Sequence, residues 1–309
     1  MLKRGEKLWM AALGSLLVGA GWANGGGAWV PDPGNGDVEL GFSRKTASTS
    51  WNTSGHVYTN TTVVDGKQTI SYHDFRYGYL SGEIGVVRNL SFNFLFTYLY
   101  GLEGPHGDEE KNEGLSDAWI GLKYQLHRGQ VPMALGFIYR TPIFYDLPGP
   151  YSRYLYDNHG NIRANSPEWR GLLKHDYTLS YLASTSFQNG RGWANFQAGY
   201  TWREGAPADQ IPLWGEFAYP IGHLPLDVKA TALFQRSLGN DSPRQDDDRF
   251  GASARNNFND ASFLRLGIGL YVWLDHDRHW FAEAGYNQWV WGISARRYRE
   301  PYLSIGRNF

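Results

Sequence analysis

The 309-residue sequence has no cysteine, only three methionines and almost no net charge, −1 at neutral pH. Without cysteine there is no disulfide framework, no thiolate metal site and no cysteine nucleophile. Without a clustered basic excess there is no electrostatic footprint for a nucleic-acid partner. Beyond the first segment the chain has no apolar run of the roughly 20 residues that a membrane-spanning helix requires, and its mean hydropathy of −0.47 argues against a helical membrane protein. What is abundant is glycine, 38 residues, and aromatics, 13 Trp, 20 Tyr and 16 Phe. Glycine and aromatic wealth at low hydropathy points to an all-β chain.

The first residues follow a logic of their own. Lys3, Arg4 and Lys7 precede an apolar stretch over residues 8–23, broken by Gly14, Ser15, Gly19 and Gly21, with small residues continuing at Ala23, Gly26 and Ala28. This is the pattern of a secretory signal peptide, assigned to residues 1–28 with cleavage after Ala23 or Ala28, so that residues 29–309 form the mature domain.

From Gly36 onward, polarity alternates at period two, the mark of strands with two different faces. Ile120, Leu122, Tyr124 and Leu126 alternate with Trp119, Gly121, Lys123 and Gln125, and Phe196, Ala198, Tyr200 and Trp202 alternate with Asn195, Gln197 and Arg203. The same holds for Val228 and Ala230 against Asp227 and Lys229, and for Leu264, Leu266 and Ile268 against Arg265. A water-soluble sandwich would also alternate, but the segments are longer than the five or six residues usual there. At ~3.3 Å per residue and a tilt near 40°, segments of this length cross the roughly 25 Å apolar band of a membrane barrel.

Connection lengths alternate as well. Short ones lie near 87–89, 127–130, 189–192, 222–224 and 275–279, and longer polar ones near 47–69, 102–113, 142–170, 239–259 and 292–300, with a short exception at 204–207. Five short turns and six connections at the other end predict twelve strands, with both chain termini on the short-turn side, the periplasm in this architecture. The fold class is therefore a transmembrane antiparallel up-and-down β-barrel of about 12 strands. Tyr98, Tyr100, Tyr139, Trp202, Trp289 and Trp291 fall toward segment ends, where an interfacial girdle belongs. The Pro-bearing stretch 142–167 reads as a long external loop, not a domain boundary, because strand patterns resume on both sides of it.

Three segments carry a family likeness. Residues 114–126, GLSDAWIGLKYQL, and residues 198–209, AGYTWREGAPAD, together with Gly27, Ala28, Trp29, Val30 and Pro31 before the first strand, resemble outer-membrane channels of the "meta-pathway of phenol degradation" family. The final strand, ending at Phe309, resembles the C-terminal signal read by the barrel assembly machinery, with Arg307 departing from its apolar alternation. The resemblance implies a twelve-stranded barrel in the outer membrane of a Gram-negative bacterium, distantly similar to fatty-acid and aromatic-hydrocarbon channels, passing small hydrophobic or aromatic compounds. It also implies outer-membrane lipid and lipopolysaccharide as surroundings. Those larger channels carry an N-terminal hatch, whereas only about residues 29–35 precede the first strand here. Some relatives of the small-barrel group accompany surface-polysaccharide systems, so a closed accessory barrel for a secretion or biofilm system is the alternative role.

If the alternation is read correctly, Trp119, Lys123, Gln125, Asn195, Gln197, Arg203, Asp227, Lys229, Arg265, Glu283 and Asn287 point into the barrel. There they either set selectivity as a charge ladder or pair with one another and fill the interior. Catalysis finds little footing. No histidine is followed two positions later by serine, and His175 and Asp176, as strand neighbours, point to opposite faces. Asp275, His276, Asp277 and His279 fall in a predicted short turn as ordinary polar turn residues. Asp246, Asp247 and Asp248, with Asp108, Glu109 and Glu110, read as solvated loop charge. The sequence thus predicts a monomeric, non-enzymatic barrel with no cofactor or metal and no nucleic-acid partner.

Overall fold

In the computed structural model, residues 27–51, 54–64, 67–105, 110–142, 175–188, 190–204, 209–239 and 261–309 are described. The assigned signal segment up to residue 26, most of the two long loops, Asp108, Glu109 and the Asp246–Asp248 run lie outside them. Twelve long strands build the wall: β1 (Gly36–Ala47), β2 (Tyr72–Val87), β3 (Leu90–Gly104), β4 (Ala118–His127), β5 (Met133–Thr141), β6 (Asp176–Phe187), β7 (Gly192–Arg203), β8 (Gln210–Pro220), β9 (Leu226–Ser237), β10 (Ser262–Trp273), β11 (Trp280–Ile293) and β12 (Arg299–Asn308). Each pairs antiparallel with its sequence neighbours, and β1 pairs with β12 from Asp37↔Asn308 to Thr46↔Arg299, so the sheet closes into a barrel with no free edge. Closure removes the unpaired amide row that an open sheet would present to lipid.

The alternation reveals which solvent lies outside. On β4, Leu122, Tyr124 and Leu126 are 47%, 51% and 52% exposed, while the intervening Lys123 and Gln125 are 3% and 5% exposed. A water-soluble sandwich buries the apolar face; here the charged face is buried and the apolar one exposed, which is stable only with hydrocarbon around the wall. Leu40, Phe42, Leu80, Phe196, Phe217, Ile268 and Leu303 extend the same outward band around the barrel.

Five connections, at 88–89, 128–132, 188–191, 221–225 and 274–279, are short, and both ends of the wall meet beside them: Gly36 and Phe309 each donate their amide to the other's carbonyl at 2.9 Å. At the opposite end four of the six connections are longer, while 204–209 and, against the expectation of a longer one near 292–300, 294–298 are as short as the turns, because β11 and β12 extend further than the polarity pattern suggests. A small sheet of residues Thr49–Trp51, Val57–Thr59 and Ala295–Arg296 folds near the mouth. Strand Glu110–Leu115 continues β4 along β3, interrupted at Ser116 and Asp117, where one extra residue turns both side chains inward. The Ser116 amide donates to the Thr97 carbonyl at 2.8 Å, keeping the wall joined through the bulge.

Two further expectations change. Trp289 does not join the girdle: it is fully buried and shares the inward face with Asn287, whereas Trp291 is 38% exposed. A register shift opposite Leu264 and Arg265 leaves Val290 and Trp291 both facing outward. The second change concerns the chain before β1. Residues 27–35 do not merely lead into the wall: 32–35 lie exposed at the rim, and 27–31 run inside the barrel, where Ala28 is completely buried.

Candidate functional site

The interior is built from side chains at alternate positions on all twelve strands. All eleven sequence-assigned inward residues, from Trp119 to Asn287, are buried there, none more than 9% exposed. They are accompanied by Asp176, the inward member of the His175–Asp176 pair, and by ten further inward titratable side chains not among the eleven: Glu39, Lys45, His73, Glu83, Glu103, Asp117, Arg140, Glu216, Arg296 and Glu300. The signal was present, since Glu39 and Lys45 obey the same period on β1 as Lys123 and Gln125 do on β4.

Toward the long-loop end the charges form close groups. Arg140 donates through Nε to Asp117 at 2.6 Å, lies 3.7 Å from Asp176 and stacks over the Trp119 ring. Arg203 approaches Asp176 from the next strand at 3.6 Å. Across the lumen, Glu300 is 3.5 Å from Lys45, 3.6 Å from Arg265 and accepts from Asn287 at 3.1 Å. Both Lys45 and Arg265 sit over the face of Trp289, which explains why that indole points inward. Arg296 and His73 share Glu103 at 3.0 and 3.2 Å.

Toward the short-turn end a single chain of polar contacts runs round the interior. The Ala28 amide donates to Ser184 Oγ at 2.6 Å, Ser184 to Asn195 at 2.8 Å, and Asn195 to Glu216 at 3.1 Å. Trp193 also donates to Glu216, at 2.6 Å. Lys229 then bridges Glu216 and Glu283, and Tyr302 donates to Glu283 at 2.5 Å. On the other side Lys123 donates to Glu83 at 2.8 Å and to the Gly27 carbonyl at 3.1 Å, and Gln125 donates to the Ala28 carbonyl at 3.1 Å. The N-terminal segment is therefore held on both flanks by wall residues.

Two glycines make its path possible. Gly85 on β2 lets the segment cross: a Cβ there would stand 2.3 Å from the Asp32 carbonyl and 2.5 Å from that of Pro31. Gly27 has φ +43°, and a Cβ on it would meet Ser184 Oγ at 2.0 Å. Above the segment's inner end lies a cavity of about 50 Å³ lined by Gly27, Leu95, Trp119, Ile138, Leu182 and Trp214 with the polar groups of Glu83, Lys123 and Gln197. It is a mainly apolar and aromatic space inside a charged barrel.

The other candidate residues have structural employment. His175 faces outward, where Tyr139 bonds its Nδ1 at 2.7 Å, while Asp176 faces inward to the two arginines, so the neighbours do not form a dyad. Asp275 accepts the amides of Trp280 at 2.7 Å and His279 at 3.1 Å, which holds its carboxyl below the usual aspartate range and uses both oxygens to close the β10–β11 turn. Asp209, at the end of the AGYTWREGAPAD segment, accepts from Tyr200 at 2.6 Å and from the Arg203 amide at 2.9 Å, which ties the start of β8 to the end of β7. Arg307 faces outward with Leu303 and Ile305 and stacks on Trp280.

No protein-family profile matches the sequence, and none of the curated proteins does. Among solved structures, the COG4313 outer membrane channel from Pseudomonas putida F1 matches with TM-score 0.60 and 10% identity over 93% of this chain and 100% of that one. The translocator domain of autotransporter NalP from Neisseria meningitidis matches with TM-score 0.45, 11% identity and 93% and 90% coverage. The P. putida toluene transporter TodX gives 0.44, 9% and 91% of both chains. The first likeness establishes the fold alone, a closed barrel shared with that outer membrane channel, built here from twelve strands.

Proposed function

We propose that this protein is a monomeric, non-enzymatic barrel of the Gram-negative outer membrane that acts as a narrow passive channel for small hydrophobic or aromatic compounds. The observation that carries the reading is the aromatic cavity bounded by Leu95, Trp119, Ile138 and Trp214 directly above the inner end of the N-terminal segment. The space of about 50 Å³ is smaller than an aromatic ring needs, so a solute passes only as the side chains lining it part, and the apolar surface they present gives it a weak foothold between the charged tiers. In this reading residues 27–35 constrict the short-turn mouth, Lys123, Gln125, Ser184 and Asn195 hold them there, and the remaining inward charges set which solutes pass. Phe309 serves as the terminal residue read by the barrel assembly machinery.

The test is permeability of proteoliposomes to toluene-sized aromatic solutes and single-channel conductance in planar bilayers, each with the full chain and with residues 27–31 deleted. Uptake above that of empty liposomes, raised by the deletion, supports the channel. Folded barrel that is silent in both forms sinks it and leaves the second reading, a closed accessory barrel of a secretion or surface-polysaccharide system. That alternative is favoured by one observation, the pairing of seven of the nine buried carboxylates with seven buried lysine and arginine side chains across the lumen.

A further inference from the structure

The outward face carries charge where lipid should tolerate little. On β1, β2 and β12, near the long-loop end, Arg44, Arg76 and Arg299 all point away from the lumen and are exposed. Arg44 and Arg76 are direct cross-strand partners, and Arg299 pairs with Thr46, diagonal to Arg44. Directly opposed like charges are unfavourable, and facing hydrocarbon makes them more so. One carboxylate relieves this pair: Asp74 accepts from Arg44 Nε and from Arg44 Nη2, each at 2.8 Å, and from Arg76 at 3.1 Å. Arg76 also lies over the Tyr100 ring, and Glu113 lies one strand beyond, opposite Tyr100.

At this end of the three strands, then, three outward guanidiniums stand against one outward carboxylate, which binds two of them. The fork of Arg44 is fixed by Asp74, with the side chains of Arg44 and Arg76 still 49% and 44% exposed. At ~3.3 Å per residue and a tilt near 40°, Arg44 stands about 20 Å, and Arg299 about 25 Å, from the short-turn rim, which brings the cluster to the far edge of a roughly 25 Å apolar band. Beneath the cluster Leu40, Phe42, Leu80, Leu303 and Ile305 form a continuous lipid-facing surface, 40–61% exposed. A surplus of fixed guanidiniums above acyl-binding surface complements a molecule with phosphate at the headgroup level and several acyl chains below.

We propose that Arg44, Arg76 and Arg299 form a binding site for the phosphorylated glycolipid of the outer leaflet, with a lipid A phosphate bridging the guanidiniums and its acyl chains lying along Leu40, Phe42 and Leu303. The site rests on the outer-membrane placement but not on transport, since its test reads binding alone.

The experiment titrates purified, detergent-solubilised full-length protein with diphosphoryl lipid A, dephosphorylated lipid A and phosphatidylglycerol, reading the bound lipid by native mass spectrometry and the folded state by heat-modifiable gel mobility. Wild type should take up one diphosphoryl lipid A, and the Arg44→Gln, Arg76→Gln double variant should bind it about tenfold or more weakly, the loss of a charge-assisted hydrogen bond. Arg299→Gln, which leaves the Asp74 pairing intact, should also weaken binding, while Arg236→Gln, an outward arginine on β9, should not. If the double variant does not fold, Arg299→Gln decides. Equal binding by folded variants, equal binding of dephosphorylated lipid A, or equally tight phosphatidylglycerol overturns the proposal.

Discussion

Lys123 joins the barrel wall to the chain's own beginning: its ammonium donates to Glu83 and, 3.1 Å away, to the carbonyl of Gly27. Replacing Lys123 with Gln removes the charge that ties the segment to β2. Single-channel conductance should rise, with longer open times, while heat-modifiable mobility still reports a folded barrel. Conductance unchanged from wild type would mean that the segment does not limit the path.

Lys229 is the only cation in contact with Glu216 and Glu283 among the described ion pairs. Lys229→Met leaves two buried carboxylates without their shared partner, a change that costs about 3–5 kcal/mol when a buried pair is broken. The urea midpoint of unfolding in detergent should fall accordingly. Adding Glu283→Gln to Lys229→Met should recover part of the loss, because one uncompensated charge is gone; a double variant as unstable as the sum of the singles would show that the residues are not coupled.

The contacts of Gly27 and Ala28 bear on processing. Cleavage after Ala28 would discard the Gly27 carbonyl that Lys123 holds and the Ala28 groups that Ser184 and Gln125 hold. The mature protein is therefore expected to begin at Asn24, which intact mass measurement of protein extracted from membranes decides; a chain beginning at Trp29 would refute this.

Asp275 provides a pH-dependent contribution outside the membrane. The amide of Trp280, then that of His279, holds its carboxyl below the ordinary aspartate value. A folded-state pKa below the unfolded one gives stability that is present above the unfolded value and lost as pH falls through the folded one. Asp275→Asn should accordingly be less heat-stable than wild type at pH 7, and the gap should close as pH is taken below about 4. A gap that stays constant with pH would assign the effect to turn geometry alone.

Much of the wall was legible because hydrocarbon outside and a polar lumen inside impose a strict period of two, which Lys123 and Gln125 display plainly. Trp289 was misplaced for a physical reason: its position near a strand end suggests a girdle, but the cations Lys45 and Arg265, remote in sequence, draw it inward. The inward run of residues 27–31 is illegible for a different one. A segment without periodicity is positioned by tertiary partners alone, here Ser184, Lys123 and Gln125, all about a hundred residues or more away.

The seam between β1 and β12 joins the two ends of the wall, with Gly36 and Phe309 clasping each other at its foot. No local hairpin can form it, so ring closure waits on the last strand and is the slowest kind of contact to make. Residues 27–31 enter the lumen through the short-turn mouth at the foot of that seam. Passage along that route, in or out, breaks no wall hydrogen bond, so the segment can seat or leave after the ring has closed, held only by the contacts of Ser184, Lys123 and Gln125.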